Sequence, residues 1–567
     1  MIARTLPRIR FRPFEHWHAA FGAAVLLMLA VPFLMVEIPP VLDYPNHLAR
    51  TFLLTFGQHD AVLSRMYAQN WSMLPNLAID LILPPLAYVL PLDVAGRLVL
   101  AGSLFGPLGG AALYSRCLFG KRSWWWPLSA ALVAFNAGFL LGFMNFLYGL
   151  GAAFAVAALW LRWREQRPVA VIFGAAIGAV IVFFCHIAAL ALLAALIAGV
   201  EADRLYPMLH RGGAVRRSFL RRSAAAALVF APAVLLYALS PTSRDVESTV
   251  WSVNPAVTKP VFLFAAVMNY SLPLDLATGL ALIGALSIGI RKGWLNLPRS
   301  TACTLLLLVI AYLALPFRIQ GGAFFDFRFA VMIGYVLCAG IAETGVVLRQ
   351  SGVVAVAGLV ALAALRVGTI DAAWHGYAAE VAEMRAVVAP IPAGARVLVA
   401  LVTAADAPQH WRDAPPVRRL DAMVATDLHL PALLLVQRGV FSPLIFADPA
   451  KQPIRVRAAF ADLAPPRSDW GLPSYRQLDG KPPSREEDER FPYLRHWPDK
   501  FDYLLVLDAD GLPENSGLPE NRLEKVVRTG VATLFRVLPS PGAAAVERCA
   551  PAMRGSGIDC IFSGTML

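Results

Sequence analysis

The chain has 567 residues, of which 58% are hydrophobic and only 16% charged, with a formal charge of +12. No soluble globular domain has that balance. The basic residues cluster in short loops between apolar runs rather than along one stripe, so the charge reads as membrane topology and nucleic-acid binding is excluded.

The first apolar run, from about Trp17 to Val36, holds no charged side chain until Glu37 and matches the roughly 20 helical residues that cross a hydrocarbon core. Arg4, Arg8, Arg10 and Arg12 precede it, which keeps the N-terminus in the cytoplasm and sends Asp43 across. A cleaved signal peptide would share the basic start, but the run is long and lacks a small-residue cleavage site. Ten further spans follow near 97–116, 124–142, 145–163, 168–184, 187–203, 223–240, 274–290, 301–317, 329–348 and 352–370. With eleven spans, Arg116, Lys121, Arg122, Arg162, Arg164, Arg167, the arginines from Arg204 to Arg222, Arg291, Lys292 and Arg299 all fall in cytoplasmic loops, as correct parity requires.

Two stretches test that count. Leu74 to Pro91 is apolar but carries Asp80, Pro84 and Pro85, and reads as an interfacial or re-entrant segment of a first outer loop, 37–96. Val169 to Val200 would make one helix of about 48 Å, longer than a bilayer core needs. Two short spans turning at Cys185 and His186 fit the basic flanks better.

Composition changes after residue 370. Short apolar runs at Arg396–Val402, Phe441–Phe446, Tyr503–Leu507 and Val531–Leu538 read as buried strands, and Tyr377–Val388 and Leu523–Arg528 as helices. The expectation is a membrane domain, 1–370, and an extracytoplasmic α/β domain, 371–567. Cys117, Cys185, Cys303 and Cys338 lie in or beside spans as small buried side chains, whereas Cys549 and Cys560 stand alone outside, where an oxidising periplasm favours a disulfide.

The segment Asp43-Tyr44-Pro45-Asn46-His47-Leu48-Ala49-Arg50 sets an acid, a histidine and an arginine on the outer face directly after the first span. If Pro45 starts a helix, His47 and Arg50 share a face. The bland alternative is a helix start in which Asp43 or Asn46 caps backbone amides and Arg50 meets lipid headgroups. A second constellation, Gly321-Gly322-Ala323-Phe324-Phe325-Asp326-Phe327-Arg328, falls on the same outer face, where Arg318 and Arg328 bracket a glycine pair suited to a phosphate. The alternative there is a local ion pair between Asp326 and Arg328. His186, at an outward turn, reads as an interfacial histidine or a substrate ligand.

A first outer loop opening on an acid, many spans and a trailing outer α/β domain resemble the GT-C membrane glycosyltransferases. The resemblance is sharpest at Asp43 to Arg50. It implies a polyprenyl-phosphate-linked sugar donor, membrane lipids as surroundings, an extracytoplasmic acceptor and transfer with inversion; the two outer cysteines, which suit a periplasm, point to the inner membrane of a bacterial cell envelope. It casts Asp43 as the general base or a metal holder and implies a donor phosphate site in the late outer loops, where Arg318, Asp326 and Arg328 lie; the chemistry of the residues themselves adds His47, Arg50 and His186 as candidate substrate ligands. A divalent metal, Mg or Mn, is the one cofactor it admits. Many members carry a second acid in this loop or the next outer one, but Asp60 and Asp80 sit in no recognisable motif, so the metal stays open. No GxxxxGK[ST] or GxSxG motif and no internal repeat occurs. A transporter or flippase for a lipid-linked substrate, and a non-catalytic envelope assembly protein, remain the competing readings.

Overall fold

The computed structural model describes residues 13–540 except 122, 209–212, 246–248, 321, 345–349, 414–417, 421–423, 466–470, 480, 482–483 and 514–515. Cys549, Cys560, Gly321 and the arginines up to Arg12 lie outside the described residues, and the expected disulfide with them.

Apolar runs become helices, and among the described residues six are long and apolar enough to cross a membrane: Leu92–Phe119, Met144–Trp163, Pro168–Cys185, Val215–Leu239, Leu272–Arg291 and Gly352–Val388. Large apolar side chains such as Val169, Phe173, Leu228, Leu280 and Leu313 point outward on these and neighbouring helices. Water would penalise that surface and lipid does not. The chain is an integral membrane protein.

The eleven expected spans do not all form single long helices. The run 124–142 breaks into Trp125–Val133 and Ala137–Leu140. Asn136 makes the break: its Oδ1 accepts from Phe139 N at 3.1 Å while its Nδ2 donates to Val133 O at 2.9 Å, serving both helix ends with one buried amide. The run 301–317 is a 16-residue helix, Arg299–Ala314, and 329–348 becomes Phe325–Ala339 followed by a two-residue strand paired with Leu295–Asn296. Both helices are shorter than a core of about 30 Å.

Leu74 to Pro91 contains only the ten-residue helix Ala78–Ala87, about 15 Å long and too short to cross. Its start is tied to the bundle by Leu77 N to Phe184 O at 2.7 Å and Ile79 N to Asn145 Oδ1 at 2.8 Å. The 169–200 run does break at His186, whose extended backbone (φ −167°, ψ 133°) ends one helix and begins the next.

The boundary at 370 falls inside one 39-residue helix, Gln350–Val388, and the separate helix expected at Tyr377–Val388 is its last three turns. Beyond it a four-stranded mixed sheet forms. Val397–Leu401 runs parallel to Tyr503–Leu507, which pairs antiparallel with Ala532–Val537, and that strand carries Leu523–Arg528 at the edge. The first three strands are buried almost throughout.

Two expectations fail in this region. Leu523–Arg528 is a strand, not a helix: its register with Ala532–Val537 skips Val526, and that bulge gives Leu523, Val526 and Val527 the three-to-four spacing of a helix face. Phe441–Phe446 is not a strand. Phe441 alone bridges to the sheet, and Pro443 then turns the chain toward the membrane helices.

The sheet region is stitched to the first loop. Tyr67–Gln69 pairs antiparallel with Ile454–Val456, and Tyr67 Oη donates to Ser442 O at 3.2 Å. These links bring segment 424–452 over the helix that follows Asp43.

Candidate active site

Asp43 directly precedes the helix Tyr44–Phe52, whose first turn includes Pro45. The Asp43 carbonyl accepts the first helical bond, from His47 N at 3.0 Å, but its carboxylate makes no capping hydrogen bond. Asn46 is no cap either; its Oδ1 accepts from Phe446 N at 3.1 Å. The side chain of Asp43 is therefore left to face a cavity.

Its backbone is held by the loop between Ala137–Leu140 and Met144–Trp163: Leu42 N donates to Leu140 O at 2.9 Å and Asp43 N to Leu141 O at 3.3 Å. Gly142 completes that clamp at φ +82°, where a β-carbon would stand 2.7 Å from Asp43 N. Gly142→Ala should lower stability by about 1–3 kcal/mol, read as thermal unfolding in detergent. An unchanged midpoint would show that the clamp relaxes freely.

His47 and Arg50 share one helix face, as their spacing predicts, and Arg50 is committed beneath it. Its Nε and Nη2 grip Asp80 Oδ1 and Oδ2 at 2.5 and 3.1 Å, both side chains being 1% exposed. The same Nη2 donates to His47 Nδ1 at 3.1 Å, which assigns the imidazole hydrogen to Nε2, facing the Gly142 carbonyl. Burial, then the Arg50 charge, holds His47 well below the usual histidine range. The chain Asp80, Arg50, His47, Gly142 thus supports the Asp43 clamp; Arg50 touches the cavity, but its charge is already matched.

The cavity measures about 520 Å³ and is lined by Asp43, His47, Arg50, His186, Arg318 and Arg328 among others, so six of the seven residues expected from sequence meet there. Asp326 does not. It is buried against Lys259 Nζ at 3.1 Å and accepts from Phe327 N, anchoring a helix start rather than pairing with Arg328.

Arg328 is held by backbone and by an aromatic ring. Its Nη1 donates to Ala323 O and Phe324 O at 2.6 and 2.9 Å, its guanidinium lies 4.2 Å from the Phe143 ring centre, and its Nε has no hydrogen-bond partner. It makes no ion pair among the described residues, and Asp43 and Asp326 are the carboxylates whose charge reaches it. His186 accepts from Ala188 N at 3.0 Å through Nδ1, so it caps a helix and turns Nε2–H outward as a donor.

Sequence reasoning missed the other half of the lining. His429 Nδ1 lies 3.0 Å from Asp43 Oδ1, off the line of an aligned hydrogen bond, with the Phe446 ring edge-on against it at 5.2 Å. Lys451, Gln452 and Arg490 also reach the cavity from the C-terminal region. Lys451 is balanced by Asp245 at 3.1 Å and Asp448 at 3.5 Å. The only sequence signal for His429 was a histidine in an apolar run, and nothing tied it to Asp43.

Five lining residues are arginine or lysine and Asp43 is the single carboxylate among them. The lining is therefore strongly cationic, with one carboxylate in it. It does not suit Mg or Mn, which want several oxygen ligands. Asp80 is consumed by Arg50, and Asp60 caps backbone amides of Val62 and Leu63 at 2.8 and 2.9 Å.

No protein-family model matches the chain, and no curated protein matches it. Among solved structures the chain is similar to ArnT from Cupriavidus metallidurans in the apo state, at 12% identity and a TM-score of 0.49, with 92% of this chain and 98% of that one covered. The same protein bound to undecaprenyl phosphate gives 13% identity and a TM-score of 0.45, over 93% and 98% of the two chains. The arabinofuranosyltransferase AftD from Mycobacteria gives 14% and 0.37, over 93% of this chain and 40% of that one.

Proposed function

We propose that the chain is a GT-C-type membrane glycosyltransferase that moves a sugar from a polyprenyl-phosphate donor to an acceptor hydroxyl on the extracytoplasmic side of a bacterial inner membrane. The observation that carries this reading is a cavity in which the one lining carboxylate, Asp43, is joined by an arginine, Arg328, that makes no ion pair among the described residues. Such a pair matches the two charges that develop in the reaction. Asp43 takes the acceptor proton as the acceptor oxygen attacks the anomeric carbon. The bond from that carbon to the phosphate oxygen breaks, with inversion, and Arg328 with Arg318 receives the negative leaving group. His429 stands beside the Asp43 carboxylate, 3.0 Å from Oδ1.

The donor proposed is of the kind bound in the second ArnT structure. No residue of the ionic cluster at the other end of the helices, Glu165, Glu201, Arg204 and Arg222, lines the cavity. In this reading the sheet region is the extracytoplasmic α/β domain.

Binding of tritiated undecaprenyl phosphate in nanodiscs tests the phosphate assignment. Arg328→Ala should weaken it at least about tenfold, since a hydrogen bond to a charged group is worth about 1.5–3 kcal/mol. Equal affinity in the two proteins would remove Arg328 from the donor site.

A further inference from the structure

We propose that His410, Asp508 and Asp510 form a binding site for a zinc-class divalent cation in the sheet region, separate from the cavity. His410 lies on the short helix Pro408–Asp413, and the two aspartates follow the central strand Tyr503–Leu507. One ligand atom from each of the three lies within 4.8 Å of the others. Gly511 makes the approach feasible, because a β-carbon there would stand 2.5 Å from His410 Cδ2.

The contact between His410 and Asp510 is that of two ligands rather than of a donor and an acceptor. Nε2 and Oδ1 are 3.2 Å apart, yet the buried Nε2 makes no hydrogen bond. Two ligands about 2.0–2.1 Å from a tetrahedral zinc stand about 3.3 Å apart. An imidazole in the set favours zinc over calcium or magnesium.

Charge gives a second, independent reason. Arg418 is the cation that pairs with Glu380 at 2.7 Å, Asp510 at 3.1 Å and Asp508 at 3.4 Å. Asp427 is 1% exposed and has Asp508, Glu380 and Arg418 as charged neighbours, and its Oδ1 has no hydrogen-bond partner among the described residues. Glu380, 8% exposed, leaves Oε2 without a partner as well. Buried carboxylates short of donors are costly, and Arg418 with Arg419, the other guanidinium whose charge reaches Asp508, leaves Asp427, Asp508, Asp510 and Glu380 net negative. A divalent ion on the exposed side of Asp508 supplies the missing positive charge, with Arg418 bracing the same carboxylates from the other side.

Untagged full-length protein in nanodiscs, stripped with chelator and dialysed against zinc, should retain one equivalent by mass spectrometry, and zinc should raise its unfolding temperature. His410→Gln and Asp510→Asn should each lose both the metal and the shift. Their side chains are 24% and 40% exposed, and a metal-free unfolding temperature equal to that of wild type separates loss of the site from loss of the fold. Asp43→Asn should keep both. Wild-type protein without zinc, His410→Gln with full zinc, or loss of zinc in Asp43→Asn would each overturn the site, the last by placing the ion in the cavity.

Discussion

Replacing Arg50 with alanine is expected to destabilise the protein by about 3–5 kcal/mol, the cost of breaking a buried ion pair by removing one partner. The loss comes less from the missing attraction than from Asp80, which is left charged, buried and without its two guanidinium bonds. Asp80→Ala should cost a similar amount by stranding Arg50. The double change Arg50→Met with Asp80→Leu should recover most of the loss, because apolar groups of similar volume leave no orphan charge. Thermal unfolding in detergent, followed by tryptophan fluorescence, reads all three. A single variant within about 1 kcal/mol of wild type would mean that water reaches the pair and that it does not stiffen the Asp43 clamp.

Asp43→Asn is expected to leave the fold and lipid binding intact and to cut turnover about 10²–10⁴-fold, the range for losing a general base, or about 3–5 kcal/mol of barrier. The fold should survive because the carboxylate caps no helix, while the backbone bonds to Leu141 and His47 are untouched by the change. Asparagine keeps the shape and an acceptor oxygen beside His429 but cannot take a proton. Turnover and undecaprenyl phosphate affinity measured together separate the roles. Retained turnover would remove Asp43 as base, and lost affinity would make it a lipid ligand instead.

Helix positions, the broken 169–200 run and the short segment around Ala78–Ala87 were legible because apolar length and proline placement act locally. That Asp43, Arg318 and Arg328 line one cavity was anticipated too, since parity and spacing set them on one face of the expected topology. What sequence left out is long-range pairing. Arg50 looked like a free phosphate ligand because nothing in a linear reading joins it to Asp80. Asp326 looked like a substrate ligand, or else a local partner of Arg328, while Lys259 reaches it from another helix. His429 meets Asp43 only because strand 67–69 pairs with strand 454–456 and fixes the C-terminal segment above the first loop. Leu523–Arg528 was misread because a bulge disguises strand alternation as helical spacing.

The first measurement is release of radiolabelled sugar from a panel of polyprenyl-phosphate sugars by purified wild-type protein in nanodiscs, beside Asp43→Asn. Release or transfer by wild type and not by the variant is the expected result. Lipid binding without turnover across the panel would contradict transfer chemistry at Asp43 and leave the cavity a carrier site.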